Sequence, residues 1–176
     1  MRCSRYRMRR RVAIVVLLAG ASAYLSASPW YSIDGFFVDA GSAFDVEPAR
    51  AEARRLWLTH LATGAEIEVV LLGPGGRLTD RDFAILEAAR RIRARDGSHE
   101  LRRVDAAMVD PADPARLSVT VTAEGGPAFA LVVLLDSPGG QVRSLLFVPA
   151  EPGAQGLHLL EELLDELRVE VAEAAG

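Results

Sequence analysis

Residues 101–148 constrain the fold more than any other stretch, because their apolar pattern has a period of two and is cut at intervals by Gly- and Pro-rich turns. Leu117, Val119 and Val121 alternate with Ser118, Thr120 and Thr122. That spacing puts aliphatic side chains on one face of a strand and hydroxyls on the other. A one-residue slip would turn the hydroxyl face inward, so the register is well specified. Residues 129–135 are apolar at every position, which predicts a central strand or one covered on both faces. Residues 101–109 and 142–148 complete a predicted four-strand meander. The turns contain Asp110-Pro111, Gly125-Gly126-Pro127 and Pro138-Gly139-Gly140. With two prolines, residues 110–114 are expected to lie outside any strand.

The flanking segments read as helical. Ala49, Ala53, Leu56, Trp57 and His60 fall on one helical stripe behind Pro48, which predicts a helix over residues 47–61 ended by Gly64. Residues 67–72 form a short apolar strand. Thr79 with Asp82 three positions on is a capping-box pattern for a second helix, ended at Asp96-Gly97 with arginines in its last turns. Residues 31–44 are aromatic-rich, and a short helix is expected there, with Phe36, Phe37 and Phe44 as core anchors. Beyond a linker-like stretch at residues 149–156, Leu157, Leu160, Leu164, Leu167 and Val171 recur at heptad-like spacing. This predicts an acidic amphipathic helix over residues 157–176. The fold class that follows is α+β: helices packed on a four- to five-stranded antiparallel sheet, with a C-terminal helix. An N-terminal transmembrane or signal helix precedes residues 34–148.

The N-terminus carries its own instruction. Residues 1–11 hold six arginines and no acid, and residues 12–20 (VAIVVLLAG) are apolar throughout. Two readings are open. Residues 12–33 are about long enough to span a bilayer as a single anchor, with Trp30 and Tyr31 at the far interface. Alternatively Ala21-Ser22-Ala23 marks the cleavage site of a signal peptide, releasing a periplasmic or secreted protein. In both cases the basic head stays cytoplasmic and the body is exported. All 20 basic residues are arginine, and with the wealth of Ala, Gly and Val this suggests a GC-rich bacterial genome. The lack of lysine excludes Schiff-base and Walker-lysine chemistry. With six arginines in the head, the body has fewer basic than acidic residues, which disfavours nucleic acid as a partner. Cys3 is the sole cysteine, so no internal disulfide and no cysteine metal site can form.

The predicted order of helix, strand, helix and four-strand meander over residues 47–148 resembles the cystatin-like and nuclear-transport-factor-like α+β folds. There a curved sheet wraps a helix and leaves a cone-shaped cavity. The stretch YLSASPWYSIDGFF is similar to the anchor exit of certain uncharacterised bacterial single-span proteins. The first resemblance implies an accessory role for a membrane-anchored member. Enzymatic, ketosteroid-isomerase-like members place Tyr and Asp in the cavity, whereas Tyr6, Tyr24 and Tyr31 all lie outside the sheet and helices predicted here.

No catalytic motif stands out. His60, His99 and His158 lack metal-ligand spacing, and Asp105, Asp110 and Asp113 match no calcium loop. No cofactor is implied, and the loop GPGGRLT lacks a phosphate-loop signature. His60 and Asp105 are the weak catalytic candidates, and His60 reads first as a packed, hydrogen-bonded histidine. The arginines of residues 90–95 read as a solvated helix end ahead of an anionic-headgroup site. Binding of a protein partner or a small apolar ligand would fall to Phe129, Leu131 and Val133 on the sheet with Leu157, Leu160, Leu164 and Leu167 on the last helix. That helix is expected to dock on the sheet, with self-association or partner capture as its other uses. The functional expectation is a non-enzymatic, membrane-anchored, exported accessory protein. The alternative is a small cavity enzyme of isomerase or hydrolase type.

Overall fold

The computed structural model describes residues 30–47, 51–52, 54–73, 79–96, 102–123, 125–136, 142–151 and 153–171. Residues 12–29 of the anchor or signal segment, His99 and most of the GPGGRLT loop lie outside them; the end of the expected span, Tyr31–Ile33, is a strand whose Ile33 is fully buried. Ten strands and two helices are present among the described residues. They run β1 (Tyr31–Ile33), β2 (Phe36–Asp39), β3 (Phe44–Val46), β4 (Arg55–His60), β5 (Glu66–Leu72), α1 (Asp80–Asp96), β6 (Arg103–Asp110), β7 (Asp113–Ala123), β8 (Gly126–Asp136), β9 (Val142–Pro149), α2 (Ala154–Glu166) and β10 (Arg168–Val171). A seven-stranded sheet has the order β3-β4-β5-β9-β8-β7-β6, and a three-stranded sheet the order β1-β2-β10. Every pairing is antiparallel. No helix of the described residues is long and apolar enough to cross a membrane.

This overturns the expected class, helices on a four- to five-stranded sheet. The helix expected over residues 47–61 is replaced by β4. Leu56, Leu58 and His60 are buried and alternate with half-buried Arg55, Trp57 and Thr59. The helical stripe rested on Ala49 and Ala53, which have little surface to bury. Pairing with β5 gives the segment a ladder from Arg55↔Val70 to Thr59↔Glu66, and such tertiary pairing overrides local preference. Residues 31–44 are likewise extended. Asp34 and Gly35, both at positive φ (45° and 84°), make the two-residue hairpin turn that Asp-Gly favours. Phe36 and Phe44 are buried, and Phe37 is exposed. The element order behind the cavity-fold resemblance is therefore altered at its first helix.

The meander is present, with β8 between β7 and β9. Leu131, Val133 and Leu135 pack on one side of the sheet, and Ala128, Ala130 and Val132 on the other. Pro114 falls inside β7, beside the register shift between Met108 and Asp110. The irregular ladder there tolerates its missing donor.

One face of the large sheet carries α1. Its buried residues Ala84, Ala88, Ala89 and Ile92 are mostly small, which lets the helix lie close to Val70, Val119, Val132 and Leu146. Thr79 caps it as expected: Asp82 N–H donates to Thr79 Oγ1 at 3.1 Å, and the Thr79 hydroxyl donates to Asp82 Oδ2 at 2.6 Å. The other face carries α2 and the small sheet. Leu159, Leu160, Leu163 and Leu167 join Ile33, Phe36, Val38, Leu58, Val69, Leu131 and Phe147 in one cluster. Full burial of each such side chain stabilises the fold by about 1.5–3 kcal/mol.

The last helix stops at Glu166, short of the predicted 157–176. Leu167 turns extended (φ −60°, ψ 121°), and residues 168–171 become β10, pairing Arg168↔Asp39 through Val171↔Phe36. Leu167 and Val171 satisfied the heptad pattern, and the period of two over Val169 and Val171 was masked by it.

Candidate functional site

A cleft of about 510 Å³ opens where the small sheet, β7 and the C-terminus of α2 meet. Asp39 ends β2, and its Oδ1 accepts from Gly41 N–H at 2.9 Å. Glu166 ends α2, and its Oε2 accepts from Ser42 N–H at 2.7 Å. Arg116 on β7 donates to the Leu167 carbonyl at 3.2 Å and pairs with Asp113 at 3.1 Å. These contacts join the β2–β3 connection, α2 and β7. The two carboxylates are thus held by backbone N–H groups, and the guanidinium by a backbone carbonyl and by Asp113. No group of three or more His, Cys, Asp or Glu capable of holding a metal occurs among the described residues. No nucleophile with an adjacent base lines the cleft, and its polar lining does not suit an apolar ligand.

His60 is buried on β4. Its Nδ1 lies 2.8 Å from Thr63 Oγ1 and its Nε2 3.2 Å from Glu162 Oε1 on α2, with the Phe44 ring centroid 5.2 Å away. Thr63 Oγ1 also accepts from Ala65 N–H at 3.2 Å. Both ring nitrogens are thereby engaged, Nδ1 within the β4–β5 turn and Nε2 in holding α2 to β4. Asp105 is exposed on β6 and pairs with Arg103 at 2.6 Å. Five strand spacings separate β4 from β6, about 24 Å at the usual interstrand distance. His60 and Asp105 do not meet in one site.

The other expected site residues are brought together, but inward. Leu131, Val133, Leu160 and Leu167 share one buried cluster, with Phe129 and Leu164 packed against it. Leu157 is half-buried outside that cluster. The expected docking of the last helix on the sheet is what the structure has, and the apolar surfaces of helix and sheet cover one another.

The arginines at the end of α1 divide by face. Arg90 is exposed and bonds Glu87 (2.9 Å). Arg91 and Arg95 turn inward to Glu68 on β5, which is only 5% exposed. Glu68 accepts from Arg91 at 2.9 Å, from Arg55 at 3.0 Å, and from Arg95. Arg95 also donates to the Val148 carbonyl at 2.6 Å and lies 5.5 Å from the centre of the Trp57 ring. Burial pulls its pKa down, against the favourable charge and hydrogen bond of Glu68. These two arginines are therefore a buried brace between helix and sheet, where the sequence suggested a solvated end.

The residues overlooked in the sequence lie on β6. This strand is exposed at every position but Ala106. It pairs with β7 on one side only. Of seven exposed large apolar side chains among the described residues, three are Val104, Met108 and Val109. The detectable signal is compositional: Arg102, Arg103, Asp105 and Asp110 bracket the apolar residues, as edge strands are commonly bracketed. No family model matches the chain, and no curated protein matches it.

Proposed function

We propose that this is a non-enzymatic, membrane-tethered, exported accessory protein that works by binding another polypeptide through the open edge of its large sheet. One observation carries the binding half of this reading. Both faces of the large sheet are covered over its central strands, while the eight-residue β6 offers backbone donors and acceptors along a free edge. Extended peptides join such edges by main-chain hydrogen bonding. The address half rests on the arginine-rich residues 1–11 and the apolar residues 12–20, with cleavage near Ala23 as the other outcome. The separation of His60 from Asp105, and the internal pairing of the cleft's polar groups, favour binding over cavity chemistry.

Hydrogen exchange on the full chain in its native membranes tests the first half. The alternate amides of residues 103–110 that point away from β7 are expected to be protected there, and their rapid exchange sinks the reading. Alkaline extraction with N-terminal sequencing tests the second. The chain is expected to stay with the membrane and to begin at its first residues. A mature chain beginning at Tyr24 removes the anchor.

A further inference from the structure

We infer that the polypeptide added at β6 is the β6 strand of a second copy of this chain, paired antiparallel about a two-fold axis at Ala106. This rests on the edge-binding reading above and names the partner. Four sheet edges occur among the described residues. Those of β1 and β3 are three residues long, that of β10 four, and that of β6 eight. Short strands are one way to keep an edge unreactive, and β6 alone lacks that protection.

The side chains decide the occupant. A two-fold perpendicular to the sheet keeps each face on its own side, so residues of like face must oppose each other. With the axis at Ala106, Val104 stands opposite Met108 and Arg102 opposite Asp110, each pair occurring twice. The exposures of Val104 (37%) and Met108 (47%) are then removed together in one four-residue apolar cluster. It lies on the face of the sheet that carries α1, the face of Leu117 and Val121 across the β6–β7 ladder. An ion pair closes each end of the paired strand. On the opposite face, Val109 meets the aliphatic stem of Arg103. Adjacent registers fail. An axis at Asp105 sets two carboxylates directly opposite each other, and like charges so opposed are destabilising; one at Ala107 sets Val104 against Asp110 and leaves neither with a matching partner. The charges of β6 that keep foreign strands away thus select one register for its own copy.

Cross-linking of the full chain tests this. Cys3→Ser leaves any introduced cysteine as the sole thiol. Directly opposed residues of an antiparallel pair have Cα atoms about 4.5–5.5 Å apart, within the reach of a disulfide. Under mild oxidation Ala106→Cys is expected to convert most of the protein to a covalent dimer. Leu61→Cys, exposed in the β4–β5 turn away from the β6 edge, is expected to remain free of the covalent cross-link. Adding Val104→Asp and Met108→Asp crowds four carboxylates into the cluster and should weaken dimerisation by about a hundredfold or more, with an unchanged circular dichroism spectrum. Cross-linking of Ala106→Cys no greater than that of Leu61→Cys overturns the inference. So does a folded, monodisperse monomer by light scattering. Hydrogen exchange separates the two levels. A monomer whose outward-pointing amides in residues 103–110 are protected only in native membranes has another polypeptide at the edge, which overturns self-pairing and leaves the edge-binding reading standing. Rapid exchange in both settings removes both.

Discussion

Glu166 closes over Gly41 so tightly that a Cβ on that glycine would overlap the Glu166 carboxylate and its Cβ. Gly41 also has φ +77°, a conformation that side chains with a Cβ adopt at a cost. The two residues belong to the β2–β3 connection and to the last turn of α2, and their contact fixes the small sheet against the helix. Gly41→Ala is expected to lower stability by about 1–3 kcal/mol, read as a fall in urea midpoint at unchanged slope. Gly41→Ala should cost less in a Glu166→Gly background, because both the carboxylate and the Cβ that it would overlap are then gone while the φ cost remains.

The brace at Glu68 is a second sensitive point. Three guanidinium groups converge on one buried carboxylate. Replacing it with glutamine leaves those cations without their counter-charge beneath α1. Removing one partner of a buried ion pair costs about 3–5 kcal/mol. Glu68→Gln is therefore expected to lower the midpoint well beyond Glu87→Gln, whose carboxylate is less deeply placed. Thermal unfolding of the two variants under one buffer checks the ranking.

Packing beneath α1 makes a third prediction. Ala88 is fully buried and Ala89 almost so, and the helix lies as near the sheet as their methyl groups permit. Ala88→Leu has to push α1 outward or distort rotamers, at about 1–3 kcal/mol. Leu86→Ala, on the exposed side of the same helix, should change stability by less than about 0.5 kcal/mol.

The bond from the Tyr31 hydroxyl to Asp45 Oδ1, 2.7 Å long, predicts opposed effects of acid and alkali. It holds the Asp45 carboxyl below its ordinary value, with help from Val46 N–H. The stability it contributes is present above the ordinary carboxylate pKa and is lost as pH falls through the lowered folded value. Burial, and then the same hydrogen bond, push the Tyr31 phenol above 10. That contribution is present below pH 10 and is lost as pH rises through the raised folded value. Tyr31→Phe should flatten both limbs of a plot of urea midpoint against pH. A variant that keeps both limbs shows that they arise elsewhere.

Much of the architecture could be read from local signals where one period dominated. Residues 117–123 have a single hydrophobic period, and β7 contains them. Thr79 and Asp82 are a local capping device, and α1 begins after them. The failures came where two periods competed or the deciding partner was distant. Residues 49–60 fit a helical stripe as well as an alternating strand, and β5 decided between them. Residues 167–171 continued a heptad, yet pair with β2 from the other end of the described chain. The Asp34-Gly35 dipeptide is a hairpin signal, but it is embedded in aromatic content that fits a short helix equally well. On the candidate surface, Phe129, Leu131 and Val133 were apolar because they are interior. The edge at β6 was hidden because exposure is a property of sheet order, which no local window contains.

The pairing of β10 with β2 has a consequence for how the chain is made. The hairpins β1–β2, β3–β4–β5 and β6–β7–β8–β9 join strands that are neighbours in sequence. The small sheet cannot close until residues 168–171 meet residues 36–39, and the two parts of the large one join only when β9 pairs with β5. Such long-range closures are the slow part of folding. A chain emerging N-terminus first can form its early hairpins at once, yet neither sheet is complete until the last strands have been made.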